Sequence, residues 1–461
     1  MLETVMDRLP DAAALLSLLL MGACGVGLCY RLTRVLCGQE PADGLANEGA
    51  QASAREIALA MAAALLSRVL IYLIAYGMYR AMGGTDGFLA SLRPLWVHWD
   101  TRHYIGIAQE GYTSVGDERL RLVFFPLYPL LMRLLSPLTG GDAFCAGLLV
   151  SLLCAAGSAG LLTVLCYTYG GRRTARLAVA YFLLSPLSVF LCCAYTESLF
   201  ICLTLGAMVL LRRGHPWWAA LCGMLSAFTR MPGVIVAGMF ILAAIGRFGE
   251  RRLRARDVLA CIAQVLIVFG GLLAYWGINW LVTGDPMTYM TYQRENWYQM
   301  PGTFWNTTRT TMHYFLTTMG DGDWLYTWGF QLLCIFYVYA LLALGHRRLP
   351  FDLAAYSFVY VAVVLAPTWL LSGPRYLYAL APLPLLQARA QEPRRACAGA
   401  DALGGAAAGL DLRLHDRHRG ALAGFEGNYG RKETRAAHCA GRACCARPGG
   451  GRVCPVPERV V

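Results

Sequence analysis

Long apolar runs alternate with short polar ones along this chain. About residues 12–30, 57–79, 144–169, 177–193, 196–211, 217–229, 232–246, 258–282, 327–345, 351–371 and 375–388 are each dominated by aliphatic and aromatic side chains. A stretch of roughly 18 or more such residues is long enough to cross a bilayer as a helix. Lipid offers the backbone no partners, so a spanning segment must be a helix or part of a closed barrel. The pattern predicts an all-α, polytopic integral membrane protein with about 10–11 transmembrane helices. Several runs are short, so neighbouring ones are expected to meet in tight turns or to lie partly re-entrant. The Phe124–Leu135 segment, with Pro126 and Pro129 near its start, predicts a re-entrant or interfacial helix in the first large polar loop.

Composition agrees with the pattern. The chain is 461 residues long, 57% apolar and only 15% charged, where soluble domains carry about 25% charged residues. Three regions are expected: an N-terminal span with its linker over 1–55, a transmembrane domain over 56–388, and a tail over 389–461 rich in Ala, Gly, Arg and Cys. The tail reads as a disordered or out-of-frame stretch, and no function is drawn from it. The leading span is not a clean secretory signal, since net acidic residues precede it.

The formal charge of +12 would suggest nucleic acid in a soluble protein. Here the arginines fall in short loops between spans, the orientation signal of a membrane protein, and no nucleic acid partner is expected. Lys432 is the only lysine, which points to a GC-rich, bacterial genome. Most of the 17 cysteines lie within spans and read as small core hydrophobes. No Cys-x-x-Cys or zinc spacing occurs, and no phosphate-cradling Gly-rich loop followed by Lys-Ser/Thr.

If the loop Trp96–Tyr112 faces outward, alternation puts Arg31 and Arg34, Arg172, Arg173 and Arg176, Arg212 and Arg213, the 247–256 cluster, Arg347 and Arg348, and Arg394 and Arg395 on the inner side. One assignment satisfies the positive-inside rule throughout. It also gathers Asp100, Glu197, Arg230 and Arg375 on the outward side. In a helical reading Asp100, His103 and Tyr104 share a face, with Arg102 and Glu110 close in sequence. Asp100 can be a general base toward a hydroxyl or a helix cap. Glu197 can contact a substrate hydroxyl, pair with an arginine, or favour a helix start. Arg230 and Arg375 run against the usual charge bias; they can hold a lipid phosphate or snorkel to headgroups. The loop containing Tyr289, Tyr292, Trp297 and Trp305 reads first as an interfacial aromatic belt and second as a sugar platform.

These pieces also carry a resemblance. Trp99-Asp100 with His103-Tyr104, Ile107-Ala108 and Gly111-Tyr112, followed by Phe124-Phe-Pro-Leu-Tyr-Pro129, resembles the first outward loop of the PIG-V family of mannosyltransferases. Ser185-Pro186 with Ala194-Tyr-Thr-Glu-Ser198, Thr229-Arg230, and Pro374-Arg375-Tyr376 resemble later motifs of that family. Arg230 is followed by Met-Pro-Gly where the family has Ser-Asn-Gly. The resemblance spans about residues 56–388 and implies a GT-C-like helical bundle. It also implies transfer of a hexose, in the first place mannose, from a polyprenyl- or dolichyl-phosphate donor on the outer or lumenal membrane face. It implies Asp100 as the base or acceptor-orienting residue, and Arg102, His103, Glu110, Tyr195, Glu197, Arg230, Arg375 and Tyr376 as substrate-binding residues. No cofactor is expected, with a divalent cation left open. The expected partners are the lipid-phosphate sugar and membrane lipids. The expected location is a bacterial plasma membrane, or the endoplasmic reticulum if the source is eukaryotic. A transporter or flippase, and a non-catalytic assembly subunit, stand as alternatives; a transporter would call for ionisable sites near mid-bilayer and an internal repeat.

Overall fold

The computed structural model describes residues 2–43, 51–322 and 324–391; the tail expected from 389 lies almost wholly outside them. Apart from one isolated bridge between Met319 and Asp321, all regular structure among the described residues is helical. The longer helices are α1 (Leu2–Leu36), α2 (Ala54–Ala81), α3 (Phe88–Trp96), α4 (Asp100–Glu110), α5 (Leu127–Leu135), α6 (Ala143–Leu184), α7 (Glu197–Arg212), α8 (Pro216–Thr229), α9 (Ala237–Gly249) and α10 (Ala255–Thr283). They continue as α11 (Thr288–Trp297), α12 (Phe304–Thr317), α13 (Phe330–Gly345), α14 (Phe351–Val364), α15 (Gly373–Tyr378) and α16 (Leu383–Ala390). The chain is an all-α, polytopic membrane protein.

Among the described residues, six helical stretches are long and apolar enough to cross a membrane: Met6–Leu36, Ala54–Ala81, Ala143–Leu184, Met231–Gly249, Ala255–Thr283 and Leu325–Arg348. A seventh is possible if the bent pair Asp117–Val123 and Leu127–Thr139 counts as one span; its two arms meet at 108°. The remaining predicted runs are helical but short. α7 and α14 have 16 and 14 residues, or roughly 24 and 21 Å at 1.5 Å per residue, less than the ~30 Å hydrocarbon thickness. The runs at 144–169 and 177–193 fall on either side of a kink inside α6. The helix is broken there at Gly171, which takes φ +70°, a conformation that glycine adopts without steric cost.

Local signals account for the ends. Ser53 and Glu56 form a reciprocal capping box at the start of α2. The Asp142 carboxylate accepts from the Phe144 and Cys145 amides at the start of α6, at 2.8 and 3.3 Å. α6 is the spine of the packing: α2, α5, α7 and α16 lie against it, while α8 packs between α7 and α10. α1 packs against α9, α12, α13 and α14. The main core runs through these helices, with Phe182, Phe200, Tyr339 and Tyr360 buried within it.

The arginines assigned to the inner side cross-link one another's helices. Arg31 donates to the carbonyls of His346 and Leu349, at 2.6 and 3.0 Å. Arg212 pairs with Asp352 at 2.6 Å, Arg389 bonds the Tyr169 carbonyl, and Arg348 bonds the Arg389 carbonyl at 2.6 Å.

Candidate active site

The first polar loop enters its helix through a strained residue. Trp99 has φ +43° and ψ −119°, a region that costs a non-glycine residue on the order of 1–3 kcal/mol. Its side chain is 78% exposed. The turn at Trp99 starts α4 at Asp100. Trp99 holds the capping position and its side chain makes no cap bond. The Asp100 carboxylate runs instead to Arg375, with Oδ2 2.6 Å from Nη1.

Arg375 arrives from α15, which the Ser372-Gly373-Pro374 turn initiates. Gln331 fixes that turn: its Oε1 accepts from the Gly373 amide at 3.0 Å and its Nε2 donates to the Leu370 carbonyl at 2.6 Å. Glu197 opens α7 and is fully buried. Its Oε1 accepts from both Arg375 Nε and Arg230 Nη1. Arg230 follows the last residue of α8 in an extended conformation. The turn is closed by Gly233, whose amide donates to the Arg230 carbonyl at 2.9 Å. A Cβ at Gly233 would collide with the backbone of Ser226 and Ala227, so this departure from the family's triplet keeps the glycine that the packing requires.

Asp100, Glu197, Arg230 and Arg375 thus form one connected cluster. Two guanidiniums and two carboxylates cancel formally. Each arginine also lies over aromatic faces: Arg375 is 4.4 Å from the Tyr195 centroid and Arg230 is 4.7 Å from that of Tyr376. Such contacts hold a planar cation flat and add roughly 1–2 kcal/mol when desolvated. Glu197 Oε2 is buried with no hydrogen-bond partner, a state that costs about 1–3 kcal/mol or more for a charged group. Asp100 is the most accessible member, its side chain 24% exposed against 8% for Arg375.

Other named residues sit around or away from this centre. The His103 ring stacks on Phe124 with centroids 4.6 Å apart, and Trp297 approaches both edgewise. Burial pulls the His103 pKa below the ordinary value, Asp100 raises it and Arg121 lowers it further. Arg102 is exposed; two residues from Asp100, it stands about 200° around the helix. Glu110 is ten residues along α4, bound to Arg121 at 2.5 Å and away from the cluster. A groove of about 200 Å³ among Glu56, Ala60, Tyr167, Ala175 and Arg176 lies on α2 and α6 and holds no member of the cluster.

Arg68 carries no role in the sequence reading, which absorbs it into the second span. It is fully buried midway along α2. It donates to the Leu183 carbonyl at 3.1 Å, to Ser188 Oγ at 3.2 Å and to the Ser188 carbonyl. One turn on, the Tyr72 hydroxyl donates to the Cys192 carbonyl at 2.6 Å. Ser151 Oγ does the same for the Cys193 carbonyl at 2.7 Å. These side chains grip the non-helical backbone that delivers Tyr195 and Glu197. An arginine inside a run of apolar residues costs about 2.5–3.5 kcal/mol on insertion scales, and that isolation was the available signal. Among the described residues, no group of three or more His, Cys, Asp or Glu is arranged to hold a metal ion.

Comparison with known proteins places this region in context. Residues 88–276 match the family model described as Mannosyltransferase (PIG-V). The chain is 32% identical over 169 residues to the GPI alpha-1,6-mannosyltransferase 2 of Rattus norvegicus, covering 34% of each chain. It is 34% identical over 168 residues to that of Cricetulus griseus, covering 34% of this chain and 32% of the relative. The Homo sapiens protein of the same name is 31% identical over 166 residues, with the same coverage. The alignments therefore span about a third of the length of these relatives. No solved structure matches.

Proposed function

From the match of residues 88–276 to the mannosyltransferase (PIG-V) family model, we propose that this chain is a membrane glycosyltransferase. It moves a mannosyl group from a polyprenyl- or dolichyl-phosphate donor to a hydroxyl of a lipid-borne or glycan acceptor. The observation that carries the reading is Arg375 bridging Asp100 and Glu197 while Arg230 holds Glu197 from the other side. Fold alone would not argue function; a semi-exposed carboxylate beside two buried guanidiniums is a site for removing a proton next to a phosphate.

In the step, the acceptor oxygen bonds to the anomeric carbon of the sugar. The bond from that carbon to the phosphate oxygen breaks, and its electron pair leaves with the polyprenyl phosphate. Asp100 takes the acceptor proton, a contribution of typically 10²–10⁴-fold. Arg230 and Arg375 meet the phosphate as charge gathers on it, where preorganised donors are worth most. Glu197 keeps both arginines in place, and its partnerless Oε2 accepts from a sugar hydroxyl. Tyr195 and Tyr376 back the guanidiniums. His103, Phe124 and Trp297 offer ring surface beside Asp100 for the acceptor. The names of the relatives support a glycolipid of the glycosylphosphatidylinositol class as one acceptor candidate. The distribution of arginines supports the outer or lumenal leaflet as the working side.

Purified protein in proteoliposomes, supplied with labelled polyprenyl-phosphate-mannose and a membrane glycolipid extract, tests this. Label should move to an extractable acceptor, and Asp100→Asn should cut the transfer by about two to four orders of magnitude. Movement of the intact donor between leaflets without transfer would replace the enzyme reading by a flippase.

A further inference from the structure

The cluster has no charge to spare. Arg230 and Arg375 are matched by Asp100 and Glu197, and a sugar phosphodiester brings one more negative charge. An uncompensated charge in a mostly buried site is costly, so an arriving donor must displace a carboxylate. Glu197 cannot leave readily: it is fully buried and held by both arginines. Asp100 can. It is 24% exposed, among the described residues its ion pair is with Arg375, and it stands at the first turn of α4 behind the strained Trp99.

Resting on the function proposed above, we infer that the Asp100–Arg375 pair is a latch opened by the donor: the donor phosphate takes Arg375 Nη1, and Asp100 is thereby freed to accept the acceptor's proton. In the closed state the guanidinium occupies Asp100 Oδ2. Loss of that partner leaves this oxygen free to accept from the acceptor hydroxyl. Proton removal is therefore tied to a bound donor, and binding is ordered with the donor first. The leaving polyprenyl phosphate is a monoester, with roughly −1.5 to −2 charge near neutral pH. It holds the arginines more strongly than the donor does until it departs, when Asp100 loses its proton to solvent and closes on Arg375 again.

The latch makes a prediction that simple phosphate binding does not. Asp100→Asn leaves the cluster one positive charge in excess with nothing to displace. Binding of polyprenyl-phosphate-mannose to the protein in nanodiscs should tighten by about tenfold, the scale of one charge-assisted hydrogen bond no longer broken. Binding of uncharged polyprenol should not change. Asp100→Ser repeats the measurement with a different side chain, and monodisperse elution reports folding of each variant. Equal or weaker donor binding in the folded variant overturns the latch. If Arg375→Gln then weakens donor binding, the donor site stands and only the latch falls. If neither Arg375→Gln nor Arg230→Gln alters donor binding relative to polyprenol, the proposed function falls, and the latch with it.

Discussion

α7 carries a buried ion-pair system at each end. Glu197 at its start meets Arg230 and Arg375. Arg212 at its end meets Asp352 of α14 at 2.6 Å, with side chains 9% and 6% exposed, and lies over Tyr169 at 5.3 Å. The two sites are fifteen residues apart, roughly 22 Å along the helix. Both take charge out of solvent on the same element, yet they are built differently. The Arg212 site is closed: Arg212 also donates to the Tyr169 hydroxyl and the Met208 carbonyl, Asp352 accepts from the Leu353 amide, and helices α6, α7 and α14 are tied together. The Glu197 site has a second pair attached, a carboxylate oxygen with no partner, and an acid reaching toward solvent from a strained turn. A buried pair whose donors and acceptors are all taken up inside the protein is a fastener. One with unused capacity and an accessible member is equipped to bind and react.

The largest expected effect separates them by readout. Asp100→Asn should lower mannosyl transfer by two to four orders of magnitude, the range of a lost general base, with a smaller fall in thermal midpoint than Arg212→Met, because Glu197 still pairs with Arg375. Arg212→Met should do the reverse. Stranding Asp352 costs about 3–5 kcal/mol, seen as a large fall in thermal stability, while transfer per folded molecule stays near wild type. Pairing it with Asp352→Leu should recover most of the loss, because an apolar replacement of a whole buried pair is often neutral or better. A large transfer defect in the folded double variant would erase the distinction between the two ends.

A smaller effect is expected at Arg68, which serves the Glu197 end without touching it. Arg68→Met leaves the Leu183 and Ser188 carbonyls without their donor, at about 1–3 kcal/mol. It should also reduce transfer, because the segment delivering Tyr195 and Glu197 loses its grip. Measuring turnover and donor KM together tests this: a fall in turnover with little change in KM marks misplacement of reacting groups. An unchanged turnover would make Arg68 a fastener like Arg212.

What the sequence made legible follows the same division. Apolar runs and arginine spacing are properties of the chain itself, so the helical membrane class could be read directly. The meeting of Asp100, Glu197, Arg230 and Arg375 could be expected because each stands at the end of a run and loop alternation gathers such ends. That the arginines are already neutralised could not, since it depends on Arg375 reaching across from α15 to α4 and α7. Arg102 and Glu110 drew attention by proximity in sequence, but helix geometry turns the first outward and carries the second along the axis. The two runs expected at 144–169 and 177–193 are parted inside α6 by a single residue, Gly171, whose positive φ breaks the helix between them. Arg68 was hidden by the rule that found the spans, because averaging over a window absorbs one charge.

The smallest expected effect is a titration at the Glu197 end. His103 stacks on Phe124, and burial, outweighing Asp100, holds its pKa below the ordinary 6.5. The unfolded chain therefore binds a proton at a higher pH than the folded one. The stabilising contribution is fully present above about pH 6.5, and it declines as pH falls through that value toward the folded pKa. Thermal midpoints measured from pH 7.5 to 5 should fall more steeply in wild type than in His103→Gln. Equal slopes in wild type and His103→Gln would mean that the ring is no more desolvated than in the unfolded chain, and would take with it the claim that the face beside Asp100 is a dry aromatic surface.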